Sequence, residues 1–331
     1  MEDGKPSIAP ASDFNPPSPS ATTRAVIDIG TNSVKLLVAA VAGTEVHPLL
    51  EDSKQTRLGR GFYDTHQLQP DAIAQTAVAV RNFAAAARQL GAETIHVIAT
   101  SAARDARNSR DLTGAIAAAS GLAVEIISGA QEADWAFQGV TSDPELARQP
   151  LLLLDVGGGS TEFILGHGAR KDFSHSFPLG VVRLLEKFPV SDPPAPAELT
   201  ACRAELQQFL RREVRPQLAA EIRYELKFDH IQLVGTGGTA TILARLEAQL
   251  AGFDRDRIEA VRLSAANLRA HVERLWSLPL TERRQLAGLP PKRADVILTG
   301  AVIYEAVMAE FGFAGLRVST RGLRFAAVLR A

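Results

Sequence analysis

Cysteine is nearly missing from this chain of 331 residues: Cys202 stands alone. A single thiol forms no internal disulfide, which excludes a disulfide-stapled scaffold. Long apolar runs are missing too, with no stretch of about 18 such residues that could cross a bilayer. Neither sign of charge is in surplus, since 36 Lys and Arg face 37 Asp and Glu for a formal net charge of -1. Such a chain has no bulk attraction for nucleic acid or an acidic membrane, so any polyanion it handles has to be met at a local site. The histidines, among them His47, His66, His96, His167 and His175, lack metal-ligand spacing, which argues against zinc. There is no Gly-x-Ser-x-Gly elbow, and Cys202 lies in a helical pattern, so a serine or cysteine nucleophile has no support. Residues 1–22 carry Pro6, Pro10, Pro16, Pro17 and Pro19 without the apolar core of a secretory signal. They read as a disordered leader, and the compartment as the cytosol.

What the chain does have is one glycine-rich turn written twice. Asp28-Ile29-Gly30-Thr31-Asn32-Ser33 and Asp155-Val156-Gly157-Gly158-Gly159-Ser160 each follow an apolar run of strand type. A strand that ends in an acid and then turns through glycine presents successive backbone N–H groups, an anion nest, beside a carboxylate able to hold a divalent cation. A tight hairpin turn accounts for one copy, because glycine serves positive φ in any β-protein. Two copies with matched hydroxyls, at Thr31 and Ser33 and at Ser160 and Thr161, favour phosphate chemistry.

The length suggests two domains of about 150 residues, and the duplicated turn divides the chain the same way, at 23–145 and 146–331. In the first half, strands are expected at Ala25 to Asp28, Val34 to Val41, Thr44 to Leu50, Thr94 to Ala99 and Val124 to Ile127, with helices from Pro70 to Gly91 and near Asp111 to Ala119. Ser128 and Gln131 have the spacing of a capping box, so a helix begins there. In the second half, strands are expected at Leu151 to Leu154, Glu162 to Leu165, Ile231 to Val234 and Leu316 to Val318. A long polar helix from Ala197 to Ala219 is expected to break at Pro216. Gly235-Thr236-Gly237-Gly238-Thr239 makes a third glycine-rich junction, from strand to helix, that could host an anion. It lacks the spacing of a dinucleotide fingerprint.

Three further residues carry two readings each. Glu132 sits in the first turn of its helix, where the macrodipole alone accounts for a carboxylate; the alternative is a general base facing a bound phosphate. Arg104, after Thr100-Ser101, is either a solvated helix residue or a phosphate ligand. Arg57, between Thr56 and Leu58-Gly59, is an ordinary loop arginine unless its guanidinium meets phosphate oxygens.

Taken together and in order, Asp28 to Ser33, Arg57-Leu58-Gly59, Ala99 to Arg104, Ile127 to Ala133, Asp155 to Glu162, Leu179 to Leu184, Gly235 to Thr239 and Gly288 to Ile297 resemble the Ppx/GppA phosphatases, over residues 24 to 331. That resemblance implies an α/β fold of two actin-like domains, of the ribonuclease H-like, sugar-kinase and heat-shock-ATPase class, around a phosphate-binding cleft. It implies an exopolyphosphatase, with guanosine pentaphosphate (pppGpp) 5′-phosphohydrolase as the alternative. It also makes Glu132 the catalytic residue and Asp155, with Asp28, the carboxylates for Mg²⁺ or another divalent cation. Gly30, Thr31, Asn32, Ser33, Arg57, Arg104, Gly157, Gly158, Gly159, Ser160, Thr161, Gly237 and Gly238 are then the expected phosphate-binding residues. A homodimer is expected by resemblance alone.

Two departures stand out: Gln131 precedes Glu132 where the family often has a second acid, and Phe325 stands where a glutamate is common. The chain also reads as a short form without the extra C-terminal helical region that helps hold long polyphosphate. More distant readings are an ATP-dependent kinase that uses the Gly235 to Thr239 junction, and a non-catalytic sensor of phosphorylated nucleotides.

Overall fold

In the computed structural model, which describes residues 7–8, 21–222 and 231–331, the chain forms two compact α/β units. The first holds residues 1–139 and 323–331, the second residues 140–322. The first sheet is built from β1 (Ser7–Ile8), β2 (Thr22–Ile29), β3 (Ser33–Ala42), β4 (Glu45–Gln55), β5 (Thr94–Ala99) and β6 (Val124–Ile126), in the order β1-β4-β3-β2-β5-β6. The second sheet holds β7 (Leu151–Val156), β8 (Thr161–His167), β9 (Arg170–Phe177), β10 (Gln232–Thr236), β11 (Arg262–Ser264) and β12 (Gly315–Val318), in the order β11-β12-β10-β7-β8-β9.

The two orders share one plan. An antiparallel meander, β2-β3-β4 or β7-β8-β9, is extended from its first strand by two parallel strands, β5-β6 or β10-β12. The duplication read from two hexapeptides thus runs through both sheets, giving the expected pair of α/β units.

Strand periodicity decides how the first sheet is covered. In the β2/β3 hairpin the opposed pairs Ala25/Val38 and Ile27/Leu36 face one way, where the helices Pro70–Gln89 and Ser109–Ser120 pack. Val26/Leu37 and Ala39 face the other way, where Leu323, Phe325, Ala326, Ala327 and Val328 close the core. Arg24 ties that closure by donating to the Leu329 carbonyl at 3.1 Å. The chain end, placed by sequence in the second half, therefore belongs to the first unit. Phe325, where a glutamate was the common residue, is buried in this apolar layer.

Other expectations need correction. The long helix does not break at Pro216: Pro196–Phe209 runs through a π-helical stretch, Leu210–Val214, into Arg215–Ile222. The widened turn, with the Arg215 N–H bonded to the Leu210 carbonyl, lies just ahead of the proline and lets the helix continue past a residue that has no N–H to give. Strands β9 and β11 carry arginine and polar residues at the two sheet edges and gave no apolar alternation to read. The leader reading of residues 1–22 falls largely outside the described residues. Within it, Ser7 and Ile8 pair with Glu51 and Leu50.

Candidate active site

The first turn occupies the carboxyl end of β2, where parallel pairing sets Ile29, Ala99 and Ile126 in one row across β2, β5 and β6. Everything that leaves those three strand ends is collected at one edge, the usual place for a ligand in an open α/β sheet. The Thr100 N–H reaches the Ile29 carbonyl at 3.1 Å, and the Ile127 N–H reaches the Ala99 carbonyl at 3.0 Å. The segment Thr100 to Arg104 and the start of the helix Gly129–Thr141 are thereby fixed beside the turn.

The turn itself closes by a bond from the Gly30 N–H to the Ser33 carbonyl at 3.0 Å. The second turn closes in the same way, Gly157 to Ser160, also at 3.0 Å. In each, a Cβ on the glycine would press on that carbonyl oxygen, at 3.3 Å for Gly30 and 3.0 Å for Gly157. Further carbonyls of both turns are also taken. Gly59 donates to the Thr31 carbonyl at 2.8 Å, and Thr56 and Arg57 both donate to that of Asn32. In the second unit Val181 donates to Gly157, while Val182 and Arg183 donate to Gly158. Arg183 Nε also donates to the Gly159 carbonyl at 2.8 Å.

Among the described residues, the N–H groups of Thr31 and Asn32, and of Gly158, Gly159 and Ser160, donate to no other protein group. Carbonyls spent on a second loop and amides left over are what an anion nest requires.

Close approach of that second loop demands glycine in both units. A Cβ on Gly59 would overlap the Thr31 methyl, and one on Gly180 would lie 2.5 Å from the Gly158 backbone. The Gly59 loop also presents Arg57, exposed and held at φ +51°, a left-handed conformation that costs a non-glycine residue energy and is commonest at functional sites.

Glu132 is half-buried in the first turn of its helix, its carboxylate Oε2 accepting from Arg104 Nη1 at 2.9 Å. Arg104 also donates to the Ile127 carbonyl at 3.4 Å. The structure thus pairs two residues that sequence reading had assigned separately, one as base and one as phosphate ligand. Only half of the expected capping box forms. The Gln131 N–H bonds Ser128 Oγ at 3.1 Å, but the Gln131 side chain donates to Glu125 Oε1 at 3.0 Å. Glu125 is held in turn by His96 at 2.7 Å, so it needs a donor at position 131, not a second acid.

Asp28 is buried, and burial pushes its carboxyl above the ordinary value, opposed by the charges of Lys35 and Arg324. Its Oδ1 has no hydrogen-bond partner among the described residues. A buried carboxylate oxygen left over is a fit for a hard divalent cation. Among the described residues no group of three or more His, Cys, Asp and Glu assembles, so a cation here would take its remaining ligands from water or substrate.

Asp155 lies opposite Thr236 at the carboxyl ends of β7 and β10. Gly237, at φ +81°, leaves room for its Oδ1, where any Cβ would collide. Gly238 lies beside Arg293, with Nη2 3.9 Å from where its Cβ would stand. The third glycine-rich junction is therefore part of the Asp155 surroundings. Its first glycine has another cause: a Cβ on Gly235 would meet the hydroxyl of Tyr304 at 2.9 Å. That buried hydroxyl donates to the Leu154 carbonyl at 3.2 Å, and burial, then the charge of Asp155, pushes its pKa well up. No sequence motif marked Tyr304; it lies on an apolar helix, Ile297–Phe311, and reads as core. Thr161 is likewise inward, its Oγ1 bonded to the Leu179 carbonyl at 2.5 Å, so it supports the second turn from below.

Known proteins resemble the chain along most of its length. The sequence profile described as the Ppx/GppA phosphatase family matches residues 37–330. Exopolyphosphatase 2 of Mycobacterium tuberculosis is 36% identical over 301 residues, covering 88% of this chain and 91% of the relative. Among solved structures, the Aquifex aeolicus member of the Ppx/GppA family is 28% identical with a TM-score of 0.74, covering 94% of this chain and 97% of that one. An exopolyphosphatase from Cytophaga hutchinsonii is 25% identical with a TM-score of 0.81, covering 92% and 96%.

Proposed function

Since the chain belongs to the Ppx/GppA phosphatase family, we propose that it is an exopolyphosphatase that hydrolyses the terminal phosphoanhydride bond of inorganic polyphosphate. The observation that carries this reading is the Glu132–Arg104 pair, set beside an amide-presenting turn at one strand end. A hydrolase of this kind needs a positioned base for water and preorganised donors for the phosphoryl oxygens. The 36% identity to Exopolyphosphatase 2 supports polyphosphate as substrate over guanosine pentaphosphate.

In this mechanism the amides of Thr31 and Asn32, with the side chain of Ser33 beside them, are the phosphoryl-oxygen donors of the first unit, and the amides of Gly158, Gly159 and Ser160, with the side chain of Ser160, are those of the second. Glu132 accepts the proton of the attacking water. Arg104 orients that carboxylate through its 2.9 Å contact, and Arg57 meets the next phosphate along the chain. Asp28 and Asp155, equivalent positions of the two repeats, are the carboxylates that would bind a divalent cation of the Mg²⁺ type. When bound, such an ion offsets the charge that spreads over the phosphoryl oxygens. Gly237 keeps room around Asp155, and Gly238 continues that junction beside Arg293. A cytoplasmic setting completes the reading, in keeping with a lone buried thiol, Cys202, pushed up to about 12 by burial and so unreactive.

Phosphate release from polyphosphate, measured beside guanosine pentaphosphate on one preparation, tests the proposal. Polyphosphate is expected to be the faster substrate; no release from it under saturating Mg²⁺ refutes the reading. Asp155→Asn is expected to raise the Mg²⁺ concentration needed for half-maximal rate, and an unchanged titration removes Asp155 from the cation.

A further inference from the structure

The loops around the first turn carry more unsatisfied polar atoms than a packed interior tolerates. Besides Asp28 Oδ1, the buried atoms without a hydrogen-bond partner include Asn32 Nδ2, Ser33 Oγ, Thr56 Oγ1 and Ser101 Oγ. Thr56 and Ser101 are each 3% exposed. A buried hydroxyl left without a partner has lost its water with nothing in exchange, so folds rarely keep several in one place. Several buried hydroxyls elsewhere are satisfied, Thr161 by Leu179, Thr236 by Ser319, Thr239 by Val156 and Thr299 by Val181, all through backbone carbonyls, while Thr76 stands alone on its helix without such a cluster around it.

Short backbone links bring both orphans to the turn. Thr56 donates its N–H to the Asn32 carbonyl at 3.2 Å, and Ser101 directly follows Thr100, whose N–H bonds the Ile29 carbonyl at 3.1 Å. Thr56 also adjoins the left-handed Arg57, so one loop holds both a strained backbone and an unpartnered hydroxyl. Three hydroxyls and one amide NH₂ form a set rich in donors. The chemical class that satisfies it is an oxyanion.

Building on the proposed function, we infer that Thr56 and Ser101 are two further phosphoryl-oxygen donors of the first turn, acting through their side-chain hydroxyls. They define a substrate contact that the glycine motif does not display. They bind and orient; no proton leaves them.

The test uses the whole chain carrying Thr56→Val or Ser101→Ala, with Thr76→Val as a control. Thr76 is equally buried and unpartnered but lies on the helix Pro70–Gln89. Calorimetry with inorganic phosphate in excess Mg²⁺ reads affinity, and thermal melting without phosphate reads stability. Thr56→Val and Ser101→Ala are each expected to weaken phosphate binding about tenfold or more, as for a lost hydrogen bond to a charged group. In a polyphosphate assay KM should rise by a similar factor while kcat falls less. The melting temperature of the unliganded variants should hold or rise, because each change removes an unsatisfied group. The control should keep wild-type phosphate affinity.

Unchanged phosphate affinity in both variants, or no phosphate binding by the wild type, overturns the inference. A lowered melting temperature of the unliganded variants also overturns it, since the protein itself would then be the partner. Loss of phosphate binding in the variants, together with a wild type that releases nothing from polyphosphate, upholds the two donors and refutes the proposed substrate.

Discussion

At the scale of the residue, Glu132 and Arg104 behave as one device. Glu132→Gln keeps the shape and the hydrogen bond from Arg104 but cannot take a proton, so kcat for phosphate release should fall roughly 10²- to 10⁴-fold with KM little changed. Near-normal turnover would take Glu132 out of the chemistry. Arg104→Met should also lower kcat, because it leaves a half-buried carboxylate without the cation 2.9 Å from it. In the Glu132→Gln background the same substitution should cost little more. A double-mutant cycle on kcat checks this, and additive losses would show that Arg104 acts elsewhere, for instance on phosphate directly. The sequence offered both residues but not their pairing. They stand 28 positions apart on separate helices, and only the parallel β5/β6 register brings them together.

At the scale of the element, each turn is held by the loop behind it, and the glycines of that loop are where it can be broken. Gly180→Ala sets a methyl 2.5 Å from the Gly158 carbonyl carbon and the Gly159 nitrogen, both backbone atoms with no side chain to swing aside. The second turn has to move, so phosphate affinity by calorimetry should drop about tenfold or more with the far-UV spectrum unchanged; wild-type affinity would mean that the Val181 and Val182 anchors do not shape the nest. At the helix Pro196–Phe209, Glu198 accepts from the Ala195 N–H at 2.7 Å and the Ser191 N–H at 3.0 Å. Those bonds hold its carboxyl below the ordinary value. An acid with a lowered folded pKa adds stability above its unfolded value and loses it as pH falls through the folded one. Glu198→Gln should therefore lower the melting temperature at pH 7, with the difference from wild type closing below about pH 4. A difference independent of pH would assign the effect to side-chain shape.

Elements with strong local signals were legible in the sequence: Thr94–Ala99 and the helix opened by Pro70 match their expected limits. Elements whose definition is tertiary were not. The edge strand β9 is polar because water meets it, and the π-helical stretch answers to a proline that sequence alone marks only as a breaker. The same holds for the site: glycines announced both turns, whereas Tyr304, Thr56 and Ser101 carry no motif and emerge only from hydrogen bonds made or left unmade.

At the scale of the molecule, the two units repeat one strand plan, yet only the first is discontinuous in sequence. The inner positions Val26, Leu37, Ala39 and Ile98 are fully buried, and they are covered by residues from the far end of the chain, Leu323, Phe325, Ala326, Ala327 and Val328. A sheet buried on both faces reads as near-continuous apolar strands, as β2 and β3 do, and it cannot shed one of its layers cheaply. Phe325→Ala should cost roughly 3–5 kcal/mol by the usual scale for a buried aromatic, enough to threaten a unit of ordinary stability. The fragment 21–139 should accordingly fail to give a cooperative melt or dispersed amide resonances. Residues 323–331 joined to it through a flexible linker should restore both, because the missing element is a specific apolar cover. A fragment that melts cooperatively without residues 323–331 would show that the helices Pro70–Gln89 and Ser109–Ser120 alone stabilise the first sheet, and that the returning chain end adds only a tether.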